Sequence, residues 1–258
     1  MNIKNKIDKI GVPLKDWDIQ INYGIKTGCN EAFIINNEKR EEILLNCLTE
    51  EERKITAEII RPILRGRDIE RYGYKWEDTW LINTHNGIKG KGKRVHVEDL
   101  PSIKAHLDQY LTKLSRRADK GDTPYNLRNC AYLEDFLKPK IVWPRLMRIS
   151  KTQDNTFPRF AYVEKEMFTV DSLCFFTGKD LELLCEVLNS DYAAYYFLKN
   201  VATLDSGGVQ MRQQYVEHIP IPPLEKGKNV FDAFCFTKEE VRFIKDTVTE
   251  LIAIAQSN

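Results

Sequence analysis

The chain has 258 residues, enough for one large domain or two small ones with a buried core. Its 42% hydrophobic and 30% charged content excludes a disordered chain, and 39 Lys/Arg against 38 Asp/Glu exclude a uniformly basic nucleic-acid glue. No apolar run reaches the length of a membrane span, no signal-peptide core follows Met1, and the six scattered cysteines form neither a CxxC pair nor a metal spacing, so a reducing cytoplasm is expected.

Apolar residues at 3, 7 and 10 predict a short helix, ended by Gly11 and Pro13. Trp17 to Ile21 alternates like a strand. Gly24 and Gly28 bracket a turn into the apolar stretch Ala32–Ile35, which together predict a hairpin. Lys39 to Leu48 has helical spacing, and Thr49 with Glu52 forms a capping box for the next helix, which must stop before Pro62. Arg61 to Tyr72 then places four arginines in twelve residues among Ile63, Leu64 and Ile69, broken by Gly66. Arginine's planar fork suits phosphate or guanine, whereas an ordinary turn would use the same residues in salt bridges.

Trp80 to Asn83 reads as a strand. Gly87 to Arg94 nearly spells a phosphate-binding loop, but Arg94 stands where Ser or Thr would hold magnesium, so a mobile basic loop is the better reading. Pro101 opens a helix whose apolar face is 103, 107, 111 and 114, with Lys113, Arg116 and Arg117 at its C-terminal end. Lys138-Pro139-Lys140 turns into a strand, and Arg145 to Arg159 is a basic loop or hairpin tip. Met167 to Phe176 is strongly β-like, Leu181 to Leu188 helical, and Tyr192 to Phe197 a second helix. Asp205 to Arg212 is a flexible turn, and Ile219 to Leu224, with three prolines, is an extended, linker-like stretch. The last helix starts at Thr237 with Glu240 as capping box. Its seam of 241, 244, 248, 251 and 255 serves either packing on the same domain or a partner.

From Lys89 to Arg159 the chain carries 16 Lys/Arg against eight Asp/Glu, set among Tyr125, Trp143, Phe157, Tyr162 and several amides. Basic loops interleaved with aromatics and amides suit nucleic acid. Motifs for catalysis are absent. The four histidines show no metal spacing, Ser206 sits in no nucleophile elbow, and no Gly-rich loop opens a nucleotide-binding unit. An enzyme with an unspelled site around Arg61–Tyr72, and a scaffold using the last helix, remain as alternatives.

Several segments taken together resemble the TaqI-like C-terminal specificity domain of type IIG restriction enzymes and adenine-specific DNA methyltransferases. They are Trp17-Asp18-Ile19, Gly24 to Phe33, Ile60 to Ile69, Tyr125 to Arg128, Phe136 to Ile141, Leu188-Asn189-Ser190 and Ile219 to Pro222. The resemblance covers residues 17–224 and implies an α/β (α+β) fold with twisted mixed or antiparallel sheets, flanking helices and a C-terminal helix. It also implies a target-recognition domain over 1–224, with a linker and a packing or assembly helix over 225–258. The expected partners are double-stranded DNA and a bacterial methyltransferase or nuclease, in the same or another chain. That catalytic partner, rather than this chain, would use S-adenosylmethionine and magnesium, because neither the methyltransferase nor the nuclease motif occurs here. The chain is accordingly expected to be a fragment or a separate recognition polypeptide, not catalytic by itself.

Under that resemblance Arg145, Arg148, Lys151, Gln153, Asn155 and Arg159 are the candidates for base edges. Lys89, Lys91, Lys93, Arg94, Arg116, Arg117 and Arg128 are the candidates for phosphate. Arg65 and Arg67 belong to the segments that carry the resemblance, and members of such a family read different DNA sequences. They are therefore expected to brace the frame or grip backbone.

Overall fold

The computed structural model describes residues 2–87, 92–149, 157–204, 207–223 and 225–257. In chain order the strands of its two main sheets are β1 (Ile19–Tyr23), β2 (Ile34–Asn36), β3 (Ile60–Leu64), β4 (Thr79–Ile82), β5 (Lys140–Pro144), β6 (Ala161–Val163), β7 (Phe168–Thr169) and β8 (Leu173–Gly178). One sheet runs β1-β8-β5-β6 with antiparallel neighbours. The other runs β2-β4-β3-β7, antiparallel except for the parallel pair β3–β7. Flanking helices are α1 (Ile3–Ile10), α2 (Asn37–Leu45), α3 (Glu50–Ile59), α4 (Pro101–Asp108), α5 (Leu111–Arg116), α6 (Leu181–Leu188), α7 (Asp191–Asn200) and α8 (Lys238–Ser257). The fold is mixed α/β, as expected.

The first sheet is the wall between two cores. Along β5, Ile141 and Trp143 face one core and Val142 the other; along β8, Cys174 and Phe176 face the first while Leu173 and Phe175 face the second. Burial on both faces is why these strands read as unbroken apolar runs. The first core is closed by α1, α6, α7 and α8, with Phe234, Ile244, Val248 and Ala255 contributed by the C-terminal region. The second holds Phe33, Ile63, Leu81, Ile103, Leu107 and Phe136, whose ring stacks on Phe168 at 4.8 Å. Each such ring, fully buried, is worth roughly 2–3 kcal/mol of transfer free energy.

The caps follow the sequence. Thr49 Oγ1 accepts from Glu52 N–H at 3.1 Å, and the Glu52 carboxylate accepts from the N–H groups of Leu48 (2.7 Å) and Ser102 (2.9 Å), tying α3 to α4. At α8 the box is reciprocal: Thr237 Oγ1 accepts from Glu240 N–H, and Glu240 Oε2 accepts from Thr237 N–H. α8 lies along α7 rather than standing away from the molecule.

Three expectations fail for tertiary reasons. No hairpin joins β1 to the stretch at 32–35: β1 pairs with β8, β2 pairs with β4 in the other sheet, and Asn30–Phe33 is a helical turn. Gly24 makes the crossing, because a Cβ there would stand 1.9 Å from the Val170 carbonyl oxygen. The helix from Pro101 breaks into α4 and α5, leaving Leu111 exposed. Met167–Phe176 is β-structure as expected, and supplies β7 to one sheet and the start of β8 to the other. Ile219–Pro222 is no linker: Ile219 and Ile221 are fully buried, and Pro220–Ile221 pairs with Val12–Pro13 at the other end of the chain.

Candidate nucleic-acid interface

The end of β1 delivers Tyr23, Gly24, Ile25 and Lys26 to the rim of a cavity of about 610 Å³. Arg128 to Tyr132, Arg145 and Asp171 complete its lining. Asn129, Cys130 and Ala131 also line a second cavity of about 730 Å³, with Asn86, Gly87, Gly92, Lys93, Arg94, His96 and Asp122. The two adjoin at the shared wall Asn129–Ala131, and this groove region carries Lys26, Lys93, Arg94, Arg128 and Arg145 in its lining.

Carboxylates position these cations without burying them. Asp119 pairs with Lys26 at 3.0 Å and with Arg128 at 3.3 Å, and Asp122 sits 3.9 Å from Arg94. Lys26 and Arg128 keep more than half of their side-chain surface, so both ion pairs are weak and open to exchange. Arg145 donates to the Asp171 carbonyl at 3.0 Å and lies 5.7 Å from the Tyr23 ring centroid, which fixes its fork at the groove wall. Burial raises the Tyr23 and Tyr132 hydroxyls and pushes the Cys130 thiol up to about 11. At neutral pH the lining therefore holds five cations beside the carboxylates of Asp122 and Asp171, with neutral tyrosine and thiol groups between, and the excess of positive charge suits an anionic ligand.

Among the expected phosphate contacts, Lys93, Arg94 and Arg128 line the groove. Arg116 is exposed at the end of α5 and is not part of the lining. Arg117 departs from expectation. It is 7% exposed, stacks 4.6 Å from the Phe33 ring, and donates to the carbonyls of Thr27, Asp119, Pro124 and Asn126. It pins the loops behind the groove and has no face left for phosphate.

Of the expected base readers, Arg145 is in the groove. Arg148 is exposed on a small ribbon in which Met147–Arg148 pairs with Gly208–Val209. Arg159 is half-buried, with its guanidinium donating to the Arg148 carbonyl at 3.4 Å, and burial lowers its pKa. Lys89, Lys91, Lys151, Gln153 and Asn155 lie outside the described residues.

The arginine-rich stretch lies apart from the groove lining, and its cations have partners within the fold. Asp68, 1% exposed, accepts the Arg65 backbone N–H at 2.7 Å. Glu77 takes Arg65 at 3.1 Å and Arg67 at 3.3 Å, while Arg61 pairs with Glu166 at 2.5 Å. Arg71 donates to the Asn189 carbonyl. Gly66 opens a single 3-10 turn, Gly66–Asp68, but a Cβ there would meet only Ser172 Oγ at 3.9 Å, so neither space nor backbone requires glycine. Sequence reasoning overlooked Lys26 as a groove residue. For Lys26 the available signal was its position between two glycines, where a side chain stands clear of regular packing.

Two cores on either side of one sheet, and adjoining cavities lined by five cations, define a mixed α/β module. The chain belongs to the family of the TaqI-like C-terminal specificity domain, whose model matches residues 61–221. No curated protein matches it in sequence. Among solved structures it is similar to the type IIG restriction endonuclease BpuSI, at 14% identity and TM-score 0.56, with 98% of this chain and 32% of that one covered. It is also similar to the type IIL restriction-modification enzyme MmeI, solved in complex with DNA, at 9% identity and TM-score 0.58, with 95% and 34% covered. The chain thus spans about a third of the length of each. Among the described residues no helix is long and apolar enough to cross a membrane.

Proposed function

We propose that this chain is the DNA target-recognition domain of a type II, IIG-like restriction-modification system, acting in the bacterial cytoplasm. It holds duplex DNA for an adenine methyltransferase or endonuclease supplied in the same polypeptide or by a separate subunit. The observation that carries this reading is the pair of adjoining cavities whose linings hold Lys26, Lys93, Arg94, Arg128 and Arg145. Lys26, Lys93, Arg94 and Arg128 hold phosphates. Arg145 and Arg148 approach base edges, where a guanidinium fork matches guanine O6 and N7. S-adenosylmethionine and magnesium belong to the catalytic partner, and this domain contributes position and choice. The braced arginines of Arg61–Tyr72 support that division, since they set the frame on which the groove is mounted.

Fluorescence-anisotropy titration of the full chain with a duplex at a series of salt concentrations tests the reading. Four to five phosphate contacts give a slope of about −4 in log affinity against log salt, and Lys26→Ala should reduce it by about 1. Duplex affinity unchanged between low and moderate salt would refute the proposal.

A further inference from the structure

The ribbon that carries Arg148 has an outer face that the groove does not use. Within it Gly208 is directly opposite Arg148 and Val209 opposite Met147, so the pairs alternate in direction. Met147 and Val209 are fully buried in the first core, which leaves Arg148 exposed opposite the buried Gly208. Leu146, two residues before Arg148, shares that outer face. Thr203 bridges Val209, and Leu204 N–H donates to the Gly208 carbonyl at 2.7 Å.

Gly208 leaves a gap that two leucine tips occupy. A Cβ built there would stand 3.0 Å from Leu146 Cδ1 and 3.7 Å from Leu204 Cδ1. These leucines are 42% and 39% exposed, so they form one apolar knob with Arg148 beside it and Arg145, at the groove wall, one residue away. The knob is held rigidly from behind. Ile149 N–H donates to the Gly207 carbonyl at 3.0 Å, and Gly207, at φ +71°, lies so close to α8 that a Cβ would be 2.7 Å from the Ala255 oxygen.

We propose that this ribbon enters the major groove of the duplex, with the Leu146–Leu204 knob packed on a thymine C5-methyl next to a guanine read by Arg148. The major groove admits a two-stranded ribbon, and the thymine methyl is its one apolar feature. An exposed apolar pair flanked by arginines fits such a mixture of methyl and acceptor edges, whereas an acidic or purely apolar partner would leave one part of the face unmatched. This inference rests on the proposed DNA-binding function and adds the chemistry of the base that is chosen.

Selection of the full chain, and of a Leu146→Ser/Leu204→Ser variant, from a randomised duplex pool tests it. The wild type should enrich a motif containing a thymine beside a guanine. Replacing that thymine by deoxyuridine, which removes only the methyl, should weaken wild-type binding about four-fold, the size expected of one buried carbon. The variant should lose both the thymine preference and the deoxyuridine effect while retaining its salt dependence. If the wild type enriches a motif but neither deoxyuridine nor the variant alters recognition at any thymine, the inference is overturned and the DNA reading stands. A wild-type chain that binds no duplex overturns both.

Discussion

Lys140 makes the physical basis of this fold directly measurable. It begins β5, is fully buried, and its ammonium has one hydrogen bond, to the Lys165 carbonyl at 3.3 Å. Burial pushes its pKa down from 10.5 to about 8, with the Glu166 carboxylate opposing that shift. A drop of that size corresponds to about 3 kcal/mol of destabilisation while the group is charged in both folded and unfolded chains. The pH dependence has a definite sign. Below about pH 8 both states hold the proton and the penalty is constant; between about 8 and 10.5 only the unfolded chain holds it, so stability rises with pH. Lys140→Met keeps an unbranched apolar stem and removes the charge. At pH 7 the variant should be more stable by about 2–3 kcal/mol, after allowing for the lost hydrogen bond. Urea unfolding of both proteins from pH 6 to pH 11 measures the difference, which should shrink through the upper part of that range. A variant that is less stable at pH 7, or a difference that does not change with pH, would refute the reasoning.

Other consequences follow from the same geometry. Arg117→Met leaves the carbonyls of Thr27, Asp119, Pro124 and Asn126 without their shared donor and should cost about 2–4 kcal/mol in a thermal melt. The folded fraction should keep its salt-dependent duplex binding, in contrast to Lys26→Ala. Glu240 is held down to about 2 by its hydrogen bond from Lys6 and by the N–H groups of Thr237 and Asn2. A carboxylate lowered on folding adds stability that is complete above its ordinary 4.5 and lost as pH falls through about 2. Glu240→Gln should therefore flatten the acid limb of the stability profile, read from urea midpoints between pH 2 and pH 6.

Much of the fold was legible in the sequence because it is locally specified. The Thr49–Glu52 and Thr237–Glu240 boxes lie within one helical turn, so each marks a start independently of its surroundings. Pro62 and Gly11 mark ends in the same way, and the seven segments between Trp17 and Pro222 together pointed to the family whose model spans 61–221. Which strands pair was not legible. Gly24 reads as a turn residue, yet its role is to let the chain pass the Val170 carbonyl 146 positions away. Ile219–Pro222 has the composition of a linker, and only the N-terminal strand Val12–Pro13 makes it a buried partner.

The candidate site divides along the same line. Local excess of Lys and Arg from Lys89 to Arg159 was visible in the sequence, because charge is a property of residue type alone. The use of each cation depends on its neighbours in space. Arg116 and Arg117 are adjacent and chemically identical, but one is exposed and the other is enclosed by four carbonyls and the Phe33 ring. Lys26 and Arg145 come from distant parts of the chain and share a groove because β1 and β5 both pair with β8. The sequence by itself determined the family, the capped helix starts at Thr49 and Thr237, and the local excess of positive charge. The tertiary structure decided which charges face a common groove and which are consumed inside, since that depends on long-range strand pairing that no local pattern encodes.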